Sequence, residues 1–146
     1  MTAIGTAEAK RILGIDYGTQ RIGVAVSDPL LIIAQGVATF RNSEKFLSDL
    51  QSLIKRYDVG LIVVGMPYHR SGDRSQMARE VEQFIQKVGC KTGLEVVAWD
   101  EQYTSTLAQQ TMVMMGVKKK KRQKKAKVDE IASALILQSF LDSRKS

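Results

Sequence analysis

The segment that most restricts the fold is an uninterrupted apolar run, LIVVG, at Leu61–Gly65. A strand of this kind carries apolar side chains on both faces, so both faces must be covered, as in the middle of a parallel sheet. A second strand-like segment, Leu94–Trp99, follows after one amphipathic helical pattern. Strands that alternate with helices form parallel pairs in layered α/β domains. The chain is therefore predicted to fold around such a sheet.

Three further β-type segments precede this unit. Arg11–Asp16 and Arg21–Ser27 flank a short turn that contains Gly18, which predicts a hairpin, and Gln35–Phe40 supplies a third, edge strand. Apolar residues at helical spacing predict four helices, the first capped by Asn42 or Ser43. These helices cover Phe46–Tyr57, Met77–Val88, Leu107–Met115 and Val128–Leu141. The predicted fold is α/β, a mixed five-stranded sheet of three antiparallel strands and two parallel βα units, with helices on both faces.

Length and composition narrow the class of protein. The 146 residues fit one domain, expected over residues 11–143, with residues 1–10 as a flexible tail. No apolar stretch reaches the roughly 18–20 residues that cross a bilayer, so no membrane partner is expected. Cys90 is the only cysteine, which excludes an internal disulfide framework and favours a reducing compartment, the cytoplasm. His69 is the only histidine, and a Cys/His zinc site is not expected.

The positive charge is concentrated in one segment, the basic loop at residues 118–127. The net charge is +7 and this loop carries eight positive charges, so the rest of the chain has a net charge of −1. Such a loop is either a contact for a phosphate backbone or a solvated segment without a partner. As candidate substrate contacts we name Lys118, Lys119, Lys120, Lys121, Arg122, Lys124 and Lys125.

Acidic residues stand where the predicted strands and the last helix meet. Asp16 ends the first strand, Asp100 and Glu101 follow the last strand, and Asp129 begins the terminal helix. Because ligand sites in open α/β sheets lie at the carboxyl ends of parallel strands, these acids are expected to converge. Clustered carboxylates repel one another, and Mg²⁺ or Mn²⁺ relieves that repulsion. Any one of these acids alone is more easily explained as an ordinary helix cap or turn residue.

Four ordered blocks of sequence resemble one known family. LGIDYGTQRIGVAVSDPL, IVVGMP, DEQYTS and VDEIASALILQSFL are similar to the signature blocks of the YqgF family of RuvX-like nucleases, which are related to RuvC resolvases and RNase H. The resemblance extends from Arg11 to Leu141. It implies an RNase H-like fold and metal-dependent phosphodiester hydrolysis, with Asp16, Glu101 and Asp129 as the catalytic, metal-binding acids of a site for Mg²⁺ or Mn²⁺, as two ions.

The same resemblance suggests a substrate and further contacts. The family's usual task is described as 5′-end maturation of precursor 16S ribosomal RNA, in the setting of ribosomal particles. Gly18, Thr19 and Arg21 are candidate substrate contacts, although Gly18 could simply serve a turn with positive φ and Arg21 could be a solvated strand-edge residue. The family commonly has arginine where this chain has Gln102, which removes one local cation.

Three other functions remain open at the level of sequence. A Holliday junction resolvase acting on four-way DNA would need two facing sites and hence a homodimer rather than a monomer. A non-catalytic RNA-binding, ribosome-assembly or transcription factor would use the basic loop alone. An ATP-binding protein of the sugar-kinase type shares the D-x-G-T turn at Asp16–Thr19, but it needs a second copy of the domain for which this chain is too short.

Overall fold

The fold follows from a computed structural model that describes residues 10–67, 76–100 and 125–144, with side chains from residue 128 onward in the last stretch. The described chain contains strands β1 to β5 and helices α1 to α3. The strands are Arg11–Tyr17, Arg21–Ser27, Ala34–Arg41, Val59–Met66 and Glu95–Asp100. The helices are Phe46–Tyr57, Gln76–Thr92 and Lys125–Ser143.

The five strands form one sheet in the order β3-β2-β1-β4-β5. β1 pairs antiparallel with β2, and β2 pairs antiparallel with β3. On its other side β1 pairs parallel with β4, and β4 pairs parallel with β5. This is the predicted mixed five-stranded sheet, and it places β1 at the centre with the carboxyl ends of β1, β4 and β5 along one edge.

The two faces of the sheet are covered by different helices. Since successive side chains of a strand point to opposite faces, Leu13 and Ile15 of β1 pack with residues of α1 and α2. Ile12 on the opposite face packs with α3 through residues such as Leu137. Each fully buried aliphatic side chain of this kind contributes about 1.5–3 kcal/mol. The prediction of helices on both faces is confirmed.

The start of α1 is where the sequence-based prediction of a cap was wrong. Neither Asn42 nor Ser43 caps the helix, because the N-cap residue is Lys45 and makes no side-chain cap hydrogen bond. The Asn42 amide instead donates to the carbonyl oxygen of Gly18 at 2.8 Å. A hydrogen bond across the sheet therefore replaces the local one.

The connection from β2 to β3 is held by one carboxylate. Asp28 accepts hydrogen bonds from the backbone N–H groups of Ile33 and Ile32 at 2.8 and 2.7 Å and from that of Leu30 at 3.2 Å. These donors, Ile33 first, hold the pKa of Asp28 below its usual value. The side chains of Leu30 and Ile33 are 76% and 62% exposed. The backbone bonds to Asp28, rather than apolar packing, therefore fix this turn.

One buried hydroxyl completes the start of the central strand. Ser27 at the end of β2 is 1% exposed, and its Oγ accepts the backbone N–H of Ile12 at 2.9 Å. A buried N–H without a partner is costly, so this bond contributes to the register of the hairpin.

Several predictions fall on residues outside this description. They are the helix over Leu107–Met115, residues 1–9 of the predicted tail, and residues 118–124 of the basic loop. The assignment of residues 11–143 to a single nuclease domain remains a prediction.

Candidate active site

Asp16 lies near the carboxyl end of the central strand, one residue before β1 ends at Tyr17. Strand alternation places it on the same face as Ile12, which packs with α3. Its Cα partner in the hairpin is Gly23 of β2. Asp16 is half-buried, so it stands at the rim of the covered part of the sheet.

Gly23 of β2 is the point at which the terminal helix packs on the sheet, and this contact places a second acid near Asp16. A Cβ placed on Gly23 would lie 2.3 Å from the backbone oxygen of Asp129 and 3.2 Å from the Cβ of Asp129. No side chain fits in that space, so α3 lies directly on the backbone of β2 at Asp129. The helix begins at Lys125, so the prediction that Asp129 begins it is wrong, and Asp129 lies in its second turn. Asp16 and Asp129 are thus brought to neighbouring positions around the same glycine.

Two other glycines of the sheet lie directly under α3 in the same way. A Cβ on Gly14 of β1 would lie 2.7 Å from the Cβ of Leu137, and one on Gly36 of β3 would lie 2.7 Å from the backbone oxygen of Glu130. Sequence analysis did not identify these glycines. The available signal was glycine inside a segment of strand periodicity, which is typical of close backbone approach.

Arg21 binds the second acid directly. Its Nε–H donates to Oδ2 of Asp129 at 2.7 Å, and the two side chains are 38% and 21% exposed. Solvent screening at this exposure limits the ion pair to about 1 kcal/mol or less. Its main effect is to orient the carboxylate. The prediction that Arg21 contacts substrate is not tested by this bond, but the alternative of a merely solvated strand-edge residue is wrong.

The turn between β1 and β2 requires glycine at position 18 because there is no room for a side chain. A Cβ on Gly18 would lie 2.5 Å from the backbone oxygen of Arg21. Among the described glycines, the one with a positive φ is Gly93 and not Gly18. The explanation of Gly18 by a positive φ was therefore wrong. Asn42 fastens the turn, since its backbone N–H also donates to the carbonyl oxygen of Gln20 at 2.9 Å. Thr19 is exposed at the tip, where its hydroxyl is accessible.

The third predicted acid lies outside the described residues. Asp100 is the last residue of β5, where it pairs in register with Met66, and Glu101 is the next residue in the chain. Trp99 packs against Phe140 of α3 with ring centroids 5.4 Å apart, and its Nε1–H donates to Oγ of Ser139 at 3.1 Å. Trp99 thus serves packing between β5 and α3. It ties α3 to β5 beside the expected position of the third acid.

The described residues contain no group of three or more His, Cys, Asp and Glu side chains placed to hold a metal ion. Two of the three predicted ligands, Asp16 and Asp129, are in the described part, and the structure does not test the third. The predicted contacts of the basic loop from Lys118 to Lys124 also lie outside it. Lys125 begins α3, but its side chain is not described.

Two clefts lie near the carboxyl end of β1. The first, about 540 Å³, is lined by Thr19, Gln20, Arg21, Thr39, Phe40, Arg41 and Asn42. The second, about 580 Å³, lies between α1 and α2 and is lined by residues that include Tyr17, Phe46, Glu80, Phe84 and Lys87. Its size is similar, and neither Asp16 nor Asp129 lines either cleft. The first cleft contains Arg21, which binds Asp129, and for that reason we assign it to the candidate active site.

The sheet order, the acid near the end of the central strand and the acid delivered by the terminal helix define an RNase H-like fold. Solved structures agree: RuvC of Thermus thermophilus in complex with a Holliday junction is similar with a TM-score of 0.56 and 17% identity, over 94% of this chain and 96% of that one. The chain belongs to the RuvX family. The model of this family, described as "RuvX: Holliday junction resolvase", matches residues 10–143.

Further comparisons give the same result. The Holliday junction resolvase of fowlpox virus matches with a TM-score of 0.53 and 14% identity, over 91% of this chain and 99% of that one. Relatives named "Putative pre-16S rRNA nuclease" include one from Desulfitobacterium hafniense, 40% identical over 90% of this chain and 92% of the relative. Another, from Parabacteroides distasonis, is 43% identical over 92% and 96%. The predicted resemblance to the YqgF family is confirmed.

Within the described residues, no helix combines the length and the apolar character needed to span a membrane.

Proposed function

We propose that this protein is a metal-dependent nuclease that hydrolyses phosphodiester bonds, with the 5′ end of precursor 16S ribosomal RNA as its substrate. The observation that carries the proposal is the placement of Asp16 and Asp129 around Gly23. The names of the relatives and the family supply the substrate class.

The donor chemistry at this point fits a hard divalent cation. Asp16 and Asp129 offer only oxygen, with no histidine or thiol among the described residues beside them, and such sets favour Mg²⁺ or Mn²⁺. We propose Asp16, Glu101 and Asp129 as the ligands of two ions. When bound, the cations offset the charge that develops on the phosphate and the leaving oxygen.

The chain itself supplies the positioning. Asp16 is held by a central strand that is paired on both sides, and Asp129 is held by a helix seated on bare backbone. Arg21 fixes the Asp129 carboxylate through its Nε–H and places a positive charge at the rim of the cleft. Thr19 offers an exposed hydroxyl on the turn beside it. We propose both residues, with the backbone at Gly18 and the basic loop, as contacts of the substrate strand.

The decisive test is cleavage of precursor 16S RNA in Mg²⁺ or Mn²⁺ by the native protein and by Asp16→Asn. This change keeps the size of the side chain and removes its charge, so cleavage should fall at least about a hundredfold while RNA binding is kept. Asp58→Asn is the matched control, because Asp58 lies at the opposite edge of the sheet in a left-handed conformation that asparagine tolerates. Undiminished cleavage by Asp16→Asn would refute the assigned role.

A second candidate is resolution of four-way DNA junctions, which the description of the family and the resolvase structures favour. Offering a four-way junction in the same assay separates the two. A resolvase acts on two strands and should be a stable homodimer, so a monomeric mass in solution would count against it. Binding of RNA without cleavage in either metal would leave the non-catalytic RNA-binding alternative. Action in the cytoplasm, within ribosomal particles, belongs to the same proposal.

A further inference from the structure

We propose that Arg41 is the centre of a phosphate-binding subsite that holds the substrate strand beside the acids. The ligand class is a phosphodiester of a nucleic-acid backbone, flanking the bond that is cut. The inference rests on the proposed function for the identity of the strand. It adds a residue and a cleft that the analysis of the sequence did not single out.

The strand register places Arg41 in line with the acids. On the face that carries α3, Asp16, Gly23 and Thr39 form one cross-strand row through the pairs Asp16–Gly23 and Gly23–Thr39. Arg21 and Arg41 are direct partners in the next row on that face. Two residues of a strand span about 7 Å, so the arginine row lies a short step from the acidic row. Neighbouring phosphates of an extended nucleic-acid strand are separated by a comparable distance.

The charges in the arginine row are not balanced within the described part of the protein. Like charges directly opposite each other in an antiparallel pair are destabilising. Arg21 is compensated by Asp129, but no described carboxylate forms a salt bridge with Arg41, which is exposed. An uncompensated arginine facing another arginine does not serve the stability of the fold. It does serve the binding of an anion, for which the guanidinium fork is well suited.

The cleft around this row has the size and lining for a segment of backbone. Its volume of about 540 Å³ is in the usual range for ligand sites. Besides the two arginines, Thr19, Gln20 and Thr39 line it with hydroxyl and amide groups. Phe40 adds one aromatic side chain, and a cleft that combines it with two arginines and these polar groups is suited to the phosphate and sugar of a nucleic-acid strand.

A different explanation of Arg41 is protection of an exposed edge. β3 is an edge strand, and a charged side chain there blocks pairing with another molecule. That role predicts aggregation when the charge is removed, with no change in the affinity for nucleic acid. The phosphate subsite predicts the opposite pattern.

The experiment measures binding without cleavage. A fluorescein-labelled RNA hairpin with a single-stranded 5′ extension is titrated with protein in EDTA, over a range of salt concentrations, and followed by fluorescence anisotropy. Arg41→Gln should bind about tenfold more weakly, the loss of one charge-assisted contact. The slope of log K against log salt should fall by about 0.7–0.9.

Two further variants make the result specific. Arg41→Lys keeps the charge and should retain the salt slope. Arg56→Gln removes the same charge from the last turn of α1, which leads into the start of β4 at the opposite edge of the sheet, and should bind like the native protein. Thermal denaturation should show Arg41→Gln no less stable than the native protein, which excludes misfolding as the cause of weaker binding.

Three outcomes would overturn the inference: native affinity and slope in Arg41→Gln, an equal loss in Arg56→Gln, or aggregation of Arg41→Gln with unchanged binding. Failure of the proposed function is a separate result. A native protein that binds the hairpin but cleaves neither RNA nor DNA in Mg²⁺ contradicts the nuclease and leaves the role of Arg41 in binding intact.

Discussion

Replacing Gly23 by alanine tests whether the close contact between α3 and β2 positions Asp129 in the candidate active site. The new Cβ would lie 2.3 Å from the backbone oxygen of Asp129, and ordinary contact begins at about 3.4 Å, so the helix or the strand must move by about 1.1 Å. The obstacle is backbone on both sides, and rotation of a side chain cannot relieve it. Asp129 therefore shifts away from Asp16.

The displacement has two measurable consequences. Overpacking of this kind costs about 1–3 kcal/mol, which for 146 residues corresponds to a fall of about 3–10 °C in Tm. A displacement on the order of 1 Å within a catalytic constellation lowers the rate about a hundredfold. Thermal denaturation and single-turnover cleavage in Mg²⁺, at a temperature where the variant is folded, measure the two effects separately.

Gly89→Ala is the matched control, with the same change in a different setting. A Cβ at Gly89 in α2 would find its nearest neighbour, Cγ2 of Val96, at 3.8 Å, so it fits without movement. Alanine also favours the helix by up to about 1 kcal/mol. Gly89→Ala should raise Tm slightly and leave cleavage unchanged. If Gly23→Ala also keeps its Tm and its cleavage rate, the close contact of α3 at Gly23 does not position the site.

Three smaller predictions concern the hydrogen bonds of individual side chains. Asp28→Asn should unfold more easily at neutral pH, and the difference should vanish at acidic pH. The lowered pKa of Asp28 gives stability that is present above its unfolded value of 3.8 and is lost as the pH falls through the folded value. Equal stability of the two proteins at all pH values would contradict this prediction. Ser27→Ala should cost about 1–3 kcal/mol in urea denaturation because the buried N–H of Ile12 loses its acceptor, whereas Ser52→Ala on the exposed face of α1 should be neutral. Trp99→Phe loses the bond to Ser139 and part of the ring contact with Phe140, so its cost should be about 1–3 kcal/mol by the same measurement.

The fold could be predicted because its signals are local. The run at Leu61–Gly65 is apolar on both faces, and β4 is buried between helices on both sides of the sheet, as that pattern requires. The hairpin of β1 and β2 follows from two alternating segments and a short turn. The ends of elements differ by a few residues: Asp16, for example, was expected to end β1, which continues to Tyr17.

The arrangement of the site could be predicted only in part, because much of it depends on contacts between distant residues. The position of Asp16 follows from the rule for the carboxyl ends of strands, whereas that of Asp129 depends on where α3 packs on the sheet. The pairing of Arg21 with Asp129 joins residues 108 positions apart, and nothing in the local sequence of Arg21 indicates it. Asn42 has the composition of a helix cap, but a carbonyl 24 residues away takes its amide. Gly23 carries no side chain, so its role is visible only when α3 is in place.

Asp16 and Tyr17 are joined by one peptide bond and belong to different halves of the molecule. Asp16 faces α3, whereas the ring of Tyr17 lies 4.7 Å from that of Phe84 on the opposite side of the sheet. A slip of β1 by one residue would exchange them, driving a carboxylate into an aromatic cluster and a phenol toward the acids. A molecule with β1 in the wrong register would therefore lose part of its core and displace Asp16 in the same event. The packing that stabilises the fold thus also selects the register that the proposed site requires.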